Sequence, residues 1–209
     1  MLIIASGNAG KVREFSSLLA GLPLRVTAQP EGVEVEETGT TFAANARLKA
    51  AAVARATGCW ALADDSGLSV EALGGAPGVH SARYAASDRA RIERLLRELE
   101  GKQRRACFTA ALALADPAGT IVLEVEGKCP GEILTAPRGT GGFGYDPVFH
   151  VPEVGLSFAE MDASLKSRIG HRGRAFALLE PRLRELFTAA PNDRPEDGRP
   201  NRLDNGPGR

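Results

Sequence analysis

Apolar residues Leu2 to Ala5 open the chain and stop at Ser6, Gly7, Asn8, Ala9 and Gly10; Phe15, Leu18 and Leu19 then recur on one side of a helical pattern starting near Lys11. This predicts a strand, a glycine-rich loop and a helix. An acidic stretch, Glu34 to Glu37, leads into Thr38, Gly39, Thr40 and Thr41, which offer cap chemistry to an alanine-rich helix over Phe42 to Ala56, closed by Gly58. The short apolar run Cys59 to Ala63 predicts a buried strand that delivers Asp64, Asp65, Ser66 and Gly67 at its carboxyl end. From Ser87, the spacing of Ile92, Leu95, Leu96 and Leu99 predicts a helix ending before Gly101. Ala106 to Ala115 and Thr120 to Glu126 read as the strands of a hairpin turned by Asp116, Pro117, Ala118 and Gly119. Pro130 to Pro147 is rich in Gly and Pro and too long for a simple connector. Helical periodicity returns from Phe158 to Ile169, breaks at Gly170 and resumes after His171 and Arg172 toward Phe187, with Pro181 expected to kink or split the last helix. No internal repeat is visible.

The organisation predicted is one catalytic domain over residues 1–189 followed by a disordered tail, 190–209, where apolar residues almost vanish. The 43% apolar and 25% charged fractions are those of a globular protein, and no apolar run approaches the roughly 20 residues of a membrane span. The start lacks the basic region and cleavage site of a signal peptide, so a cytoplasmic location is expected. Cys59, Cys107 and Cys129 give neither a disulfide framework nor zinc-site spacing. With 26 basic and 26 acidic residues there is no global field to gather nucleic acid, so an anionic ligand must be held by local chemistry.

Several short motifs offer such chemistry. Ser6 to Lys11 lacks the first Gly and the metal-binding hydroxyl of a Walker A loop, yet its small residues and Lys11 suit an anion at a helix N-terminus. Gly139, Gly141 and Gly144 match G-x-G-x-x-G without the strand and helix that a dinucleotide site needs; the alternative is a loop passing close to a ligand, with Phe143 available to stack on a base. Asp64 and Asp65, and likewise Glu36 and Glu37, are adjacent pairs of which only one member readily faces a given site on an extended chain. Their oxygens suit Mg²⁺, which takes few carboxylates and keeps its other positions for water and phosphate. Lys166, His171 and Arg172 cannot share one face of a continuous helix, but a break at Gly170 leaves His171 and Arg172 in a loop able to fold back toward Lys166.

Taken together, SGNAGKVREF at Ser6, EETGTTFAANA at Glu36, ADDSGL at Ala63, GGAPGVHSARY at Gly74, GTGGFGYDP at Gly139 and HRGRA at His171 resemble, in order, the inosine triphosphate pyrophosphatases of the RdgB/HAM1 family. The resemblance implies an α/β fold: a long twisted mixed sheet flanked by helices, in two lobes with a central nucleotide cleft. It implies a homodimer and hydrolysis of non-standard purine nucleoside triphosphates such as ITP, dITP and XTP to the monophosphate and pyrophosphate, with Mg²⁺; neutral charge, 5% aromatics and the lack of a long apolar run argue against nucleic-acid and membrane partners. Asp65 would be the general base and a metal-side carboxylate, with Glu36 or Glu37 as further metal ligand. Ser6, Gly7, Asn8, Ala9, Gly10 and Lys11 would hold the triphosphate; Ser66, Phe143, Gly144, Tyr145, Asp146, Lys166, His171 and Arg172 would contact substrate. The chain departs from the family pattern at Ser6, where Thr is usual, at Gly170, where Ser is common, and at Pro181. The alternatives are a pyrophosphatase of similar fold for pyrimidine or other modified nucleotides, and a nucleotide-binding regulator without turnover.

Overall fold

The structure, a computed structural model, describes residues 1–188, so the expected tail at 190–209 lies outside the described residues. Strand β1 (Leu2–Ala5) is buried along its whole length because it pairs on both sides, in parallel with β2 (Val26–Ala28) and with β3 (Trp60–Val70). Beyond β3 the sheet continues antiparallel through β4 (Arg105–Ala115), β5 (Ile121–Ile133), β6 (Phe149–Val151) and β7 (Leu156–Ser157), giving a mixed sheet in the order β2-β1-β3-β4-β5-β6-β7. The β4–β5 hairpin closes as the sequence predicts: the Asp116 carboxylate accepts from Ala118 N and Thr120 N, both at 2.9 Å, and Gly119 takes a positive φ of 83°.

Helix α1 (Ala9–Leu19) is capped by Asn8, α2 (Phe42–Thr57) by Thr41, and α3 (Asp88–Glu98) by Ser87; Gly58, at φ 63°, ends α2. Helix α4 (Ala163–Ile169) is capped by Asp162, and α5 (His171–Thr188) completes the described chain. On one face of the sheet α1 and α5 bury Phe15, Leu19, Phe176, Leu179 and Leu183 against Leu2, Ile4, Leu62 and Leu112. The other face is lined by alanines, Ala61, Ala63, Ala111 and Ala113, against Ala46, Ala50 and Ala54 of α2; small side chains on both partners let that helix lie close to the sheet. A third cluster, around Phe108, Phe149 and Phe158, forms at the far end of the long strands.

Four expectations need correcting. Strand β3 does not stop at Ala63 but runs through Asp64 to Val70, because it keeps β4 beside it over that whole length. Strand β5 continues past Glu126 to Ile133 despite Pro130, which pairs with Cys107 on one side only, since β6 joins β5 only at Glu132 and Ile133. The periodicity from Phe158 gives helix only from Ala163; Phe158 instead fills the third cluster. Pro181 does not split α5: the hydrogen bond it removes would have gone to Ala177, both residues are exposed to solvent, and Leu179 and Leu183 pin the helix to the sheet. Strands β2, β6 and β7 had no sequence signal. Among the described residues, no helix is long and apolar enough to cross a membrane.

Candidate active site

Strand β1 ends at Ala5 opposite Ala63, so from Asp64 onward β3 loses its parallel neighbour and a cleft opens beside it. The acidic pair therefore sits in mid-strand, at the carboxyl end of β1 rather than of its own strand. Its members point to opposite faces, as an extended backbone requires. Asp64 turns toward α1 and α5, where its Oδ2 accepts from Lys11 Nζ at 2.9 Å, Ser66 Oγ at 3.0 Å and Arg172 Nε at 3.2 Å. Asp65 turns toward α2, where Oδ1 accepts from Lys49 Nζ at 2.7 Å and Oδ2 from Asn45 Nδ2 at 3.2 Å. The two faces meet at the Asp64 carbonyl oxygen, which accepts from both Lys49 Nζ at 2.9 Å and Lys11 Nζ at 3.3 Å.

The two carboxyls differ in ionisation because their surroundings differ. Burial works to raise Asp64, but the charges of Lys11 and Arg172 overwhelm it and hold the group well below the usual carboxylate range. For Asp65 burial prevails over Lys49, and its pKa stands above the ordinary value. Burial likewise lowers Lys11 in spite of Asp64, whereas at Lys49 burial is outweighed by Asp65 and Glu37, which raise it. Asp65 is thus a carboxylate with enhanced basicity at a cleft; Asp64 is a fixed negative charge.

Glu37 joins this cluster and Glu36 does not. Glu37 Oε1 accepts from Lys49 Nζ at 3.0 Å and Oε2 from Arg83 at 2.7 Å, while Glu36 is exposed on the other side of the same irregular segment. Of the two alternatives for the further ligand, Glu36 or Glu37, it is Glu37 that stands near Asp65, across the Lys49 ammonium; among the described residues no three His, Cys, Asp or Glu side chains gather as a metal cage.

The glycine-rich loop also divides. The Asn8 side chain caps α1, accepting from Gly10 N at 2.9 Å and Lys11 N at 3.1 Å, and Asn8, Gly10 and Lys11 border a cleft cavity of about 220 Å³ with Asp65 and Ser66. Ser6, Gly7 and Ala9 border a separate outer depression instead. A Cβ on Gly10 would stand 2.8 Å from the Phe143 ring, which reaches across from the 139–146 loop, so the ring would have to shift.

Phe143 separates that cavity from a second one of about 330 Å³, lined by Glu14, Lys166, Gly170, His171 and Arg172. Lys166 Nζ and the Arg172 guanidinium lie 5.1 and 5.4 Å from the Phe143 ring centre, and both bond to Glu14 at 2.9 Å. His171 and Arg172 are not in a loop: they form the first turn of α5, which starts directly after Gly170. Two glycines allow this. A Cβ on Gly173 would fall 1.6 Å from the Ser167 carbonyl oxygen of α4, and one on Gly127 of β5 would fall 2.2 Å from Ala175 N, so α5 packs backbone to backbone on both neighbours. His171 is 3% exposed, its ring stacks on Phe108 at 4.7 Å, and neither ring nitrogen meets a protein partner. Burial first, then Arg172, push it well below its usual pKa, so the ring is neutral. Tyr145 and Asp146 border the cleft from buried positions and are engaged within the protein: Tyr145 donates to Ser81 O at 2.9 Å, and Asp146 accepts from Lys166 Nζ at 2.7 Å and Phe143 N at 2.8 Å.

A model of the Ham1 family matches residues 2–182. The chain belongs to the Ham1 family. A dITP/XTP pyrophosphatase of Parasynechococcus marenigrum strain WH8102 is 64% identical over 191 residues, spanning 91% of this chain and 98% of its own. One from Nostoc sp. strain PCC 7120 is 54% identical, spanning 91% and 97%. Among solved structures, a HAM1 protein from Coxiella burnetii superposes with a TM-score of 0.81 at 42% identity, covering 88% of this chain and 98% of its own. A nucleoside-triphosphatase / dITP/XTP pyrophosphatase from Mycobacterium abscessus does so with 0.68 at 40% identity, covering 86% and 98%. The expected family and its mixed sheet flanked by helices are thus both present.

In this Ham1-family cleft, Glu14, Asn45 and Lys49 are the side chains that sequence reasoning passed over. Asn45 carried a signal: a fully buried amide in an alanine-rich helix needs a partner, and Lys49 lies four residues on along the same face.

Proposed function

We propose that this Ham1-family chain hydrolyses nucleoside triphosphates of non-standard purines, ITP, dITP and XTP, to the monophosphate and pyrophosphate. The observation that carries the reading is Asp65: a carboxylate of raised basicity facing a cleft whose one end is cationic and whose other end is aromatic and rich in donors. Lys11 and Lys49 neutralise phosphate charge, the capped turn at Asn8 to Lys11 presents backbone to the triphosphate, and Asp65 orients a water and takes its proton. Ser6 Oγ accepts from Asn8 N at 3.2 Å within that turn, and Gly7 and Ala9 complete it. Glu37 and Asp65 fit a hard divalent cation such as Mg²⁺, since Lys49 already shows a cation held between the same two carboxylates. Bound there, the ion supplies charge neutralisation and a lowered pKa for coordinated water.

Phe143 stacks on the purine, and Lys166 and Arg172 donate toward the keto oxygen at C6, which adenine replaces with a donor of its own. Neutral His171 contributes one donor and one acceptor. A pocket built on such pairs rejects the mismatched base strongly. Gly170 leaves this end without the hydroxyl that Ser would supply. We place the chain in the cytoplasm as a homodimer of two-lobed subunits over residues 1–189, acting on the free nucleotide pool. Incubation with ITP and Mg²⁺ is expected to yield IMP and pyrophosphate, with dUTP and TTP turned over far more slowly; IDP and phosphate as products, or preference for the pyrimidines, would contradict the proposal.

A further inference from the structure

The aromatic side of the cleft is held at two adjacent amides by two carboxylates. Phe143 N donates to Asp146 of its own loop, and Gly144 N donates to Asp88 Oδ2 at 2.7 Å. Asp88 belongs to a different element, the first turn of α3, and its Oδ1 also accepts from Arg91 at 2.5 Å, so the carboxylate is fixed on both oxygens. Gly144 takes a positive φ of 61°, a conformation that favours glycine at this point of the loop. The loop is also anchored just beyond, where buried Tyr145 donates to Ser81 O at 2.9 Å and Asp146 accepts from Lys166 Nζ at 2.7 Å; the Asp88 bond adds a tie to α3 at the residue next to Phe143. The Phe143 ring stands against Gly10, with Lys166 Nζ and the Arg172 guanidinium 5.1 and 5.4 Å from its centre.

We infer that Asp88 is a positioning residue for purine recognition, pinning Gly144 to α3 so that Phe143 stands where a base can stack on it. This rests on the proposed purine site but is separable from it. The bond fixes a loop that would otherwise lose entropy on binding, so its loss should weaken substrate binding and leave the phosphate chemistry around Asp65 alone.

The test is steady-state hydrolysis of ITP by the full chain, after confirming that the unaltered protein turns ITP over; failure of that control would count against the purine site itself. Asp88→Ala is expected to raise KM about fivefold, the order of one hydrogen bond, with kcat within about twofold. Asp88→Asn, which keeps an oxygen acceptor for Gly144, should recover most of that loss. Asp88→Ser, which retains a helix-start residue but is too short to reach Gly144, should match Asp88→Ala and serves in its place if that variant does not melt cooperatively. In a Phe143→Ala background the Asp88 substitution should add little further change. A KM effect of equal size with and without Phe143, an Asp88→Asn variant no better than Asp88→Ala or Asp88→Ser, or a loss confined to kcat would each overturn the inference.

Discussion

Lys49 shows how one side chain sets the chemistry of another. Burial works to lower its pKa, but Asp65 and Glu37 raise it, and in return its charge restrains the rise that burial imposes on Asp65. Replacing Lys49 with Met removes that restraint, so the Asp65 pKa moves further up. As the proposed base, Asp65 acts only when ionised, so activity is expected to be lost as pH falls through that pKa, and a higher pKa means loss at a higher pH. The acid limb of the kcat/KM profile is therefore expected to shift to higher pH in Lys49→Met; an unmoved limb, or one shifted toward acid, would remove Asp65 as the titrating base. At this scale the sequence was partly legible. The acidic pair announced itself, and alternation along a strand said that its members would part company, but which of them faces the lysine of α2 depends on the pairing of β3. Lys49 reads in isolation as one more solvated charge on an alanine-rich helix, and only the packing of α2 on the sheet turns it inward.

At the scale of elements, the proposed purine end of the cleft depends on where α5 begins. Its first turn carries His171 and Arg172 and is seated on β5 at Gly127 and on α4 at Gly173, with no room for a Cβ at either place. Gly127→Ala must push α5 off the sheet, at a cost of about 1–3 kcal/mol typical of overpacking. A lower melting temperature and a raised KM for ITP are expected from that single methyl group, and an unchanged melting curve would mean that the contact is not tight. The sequence showed the break at Gly170 and therefore the proximity of Lys166 to His171 and Arg172. It did not show that the break is a corner between two helices rather than a loop, because that outcome is decided by Gly127, more than forty residues away along the chain. For the same reason β5 looked as though it ended at Glu126: Gly127, Pro130 and Gly131 are poor strand formers that here take their conformation from β4.

Over the whole molecule, the sheet gathers chemistry from segments distant in sequence. The end of β1 opens the cleft, α2 brings Lys49 and Asn45 to one face of β3, α1 and α5 bring Lys11 and Arg172 to the other, and the 139–146 loop closes over Gly10. The ordered motifs made the family and fold class readable, while the mixed topology and the course of β6 and β7 emerge only from long-range pairing. In the proposed reaction, water attacks the α-phosphorus and expels pyrophosphate. Hydrolysis of ITP in oxygen-18 water, followed by mass spectrometry of both products, tests this directly: the label is expected in IMP and absent from pyrophosphate, whereas label in pyrophosphate would place the attack at the β-phosphorus and contradict the account.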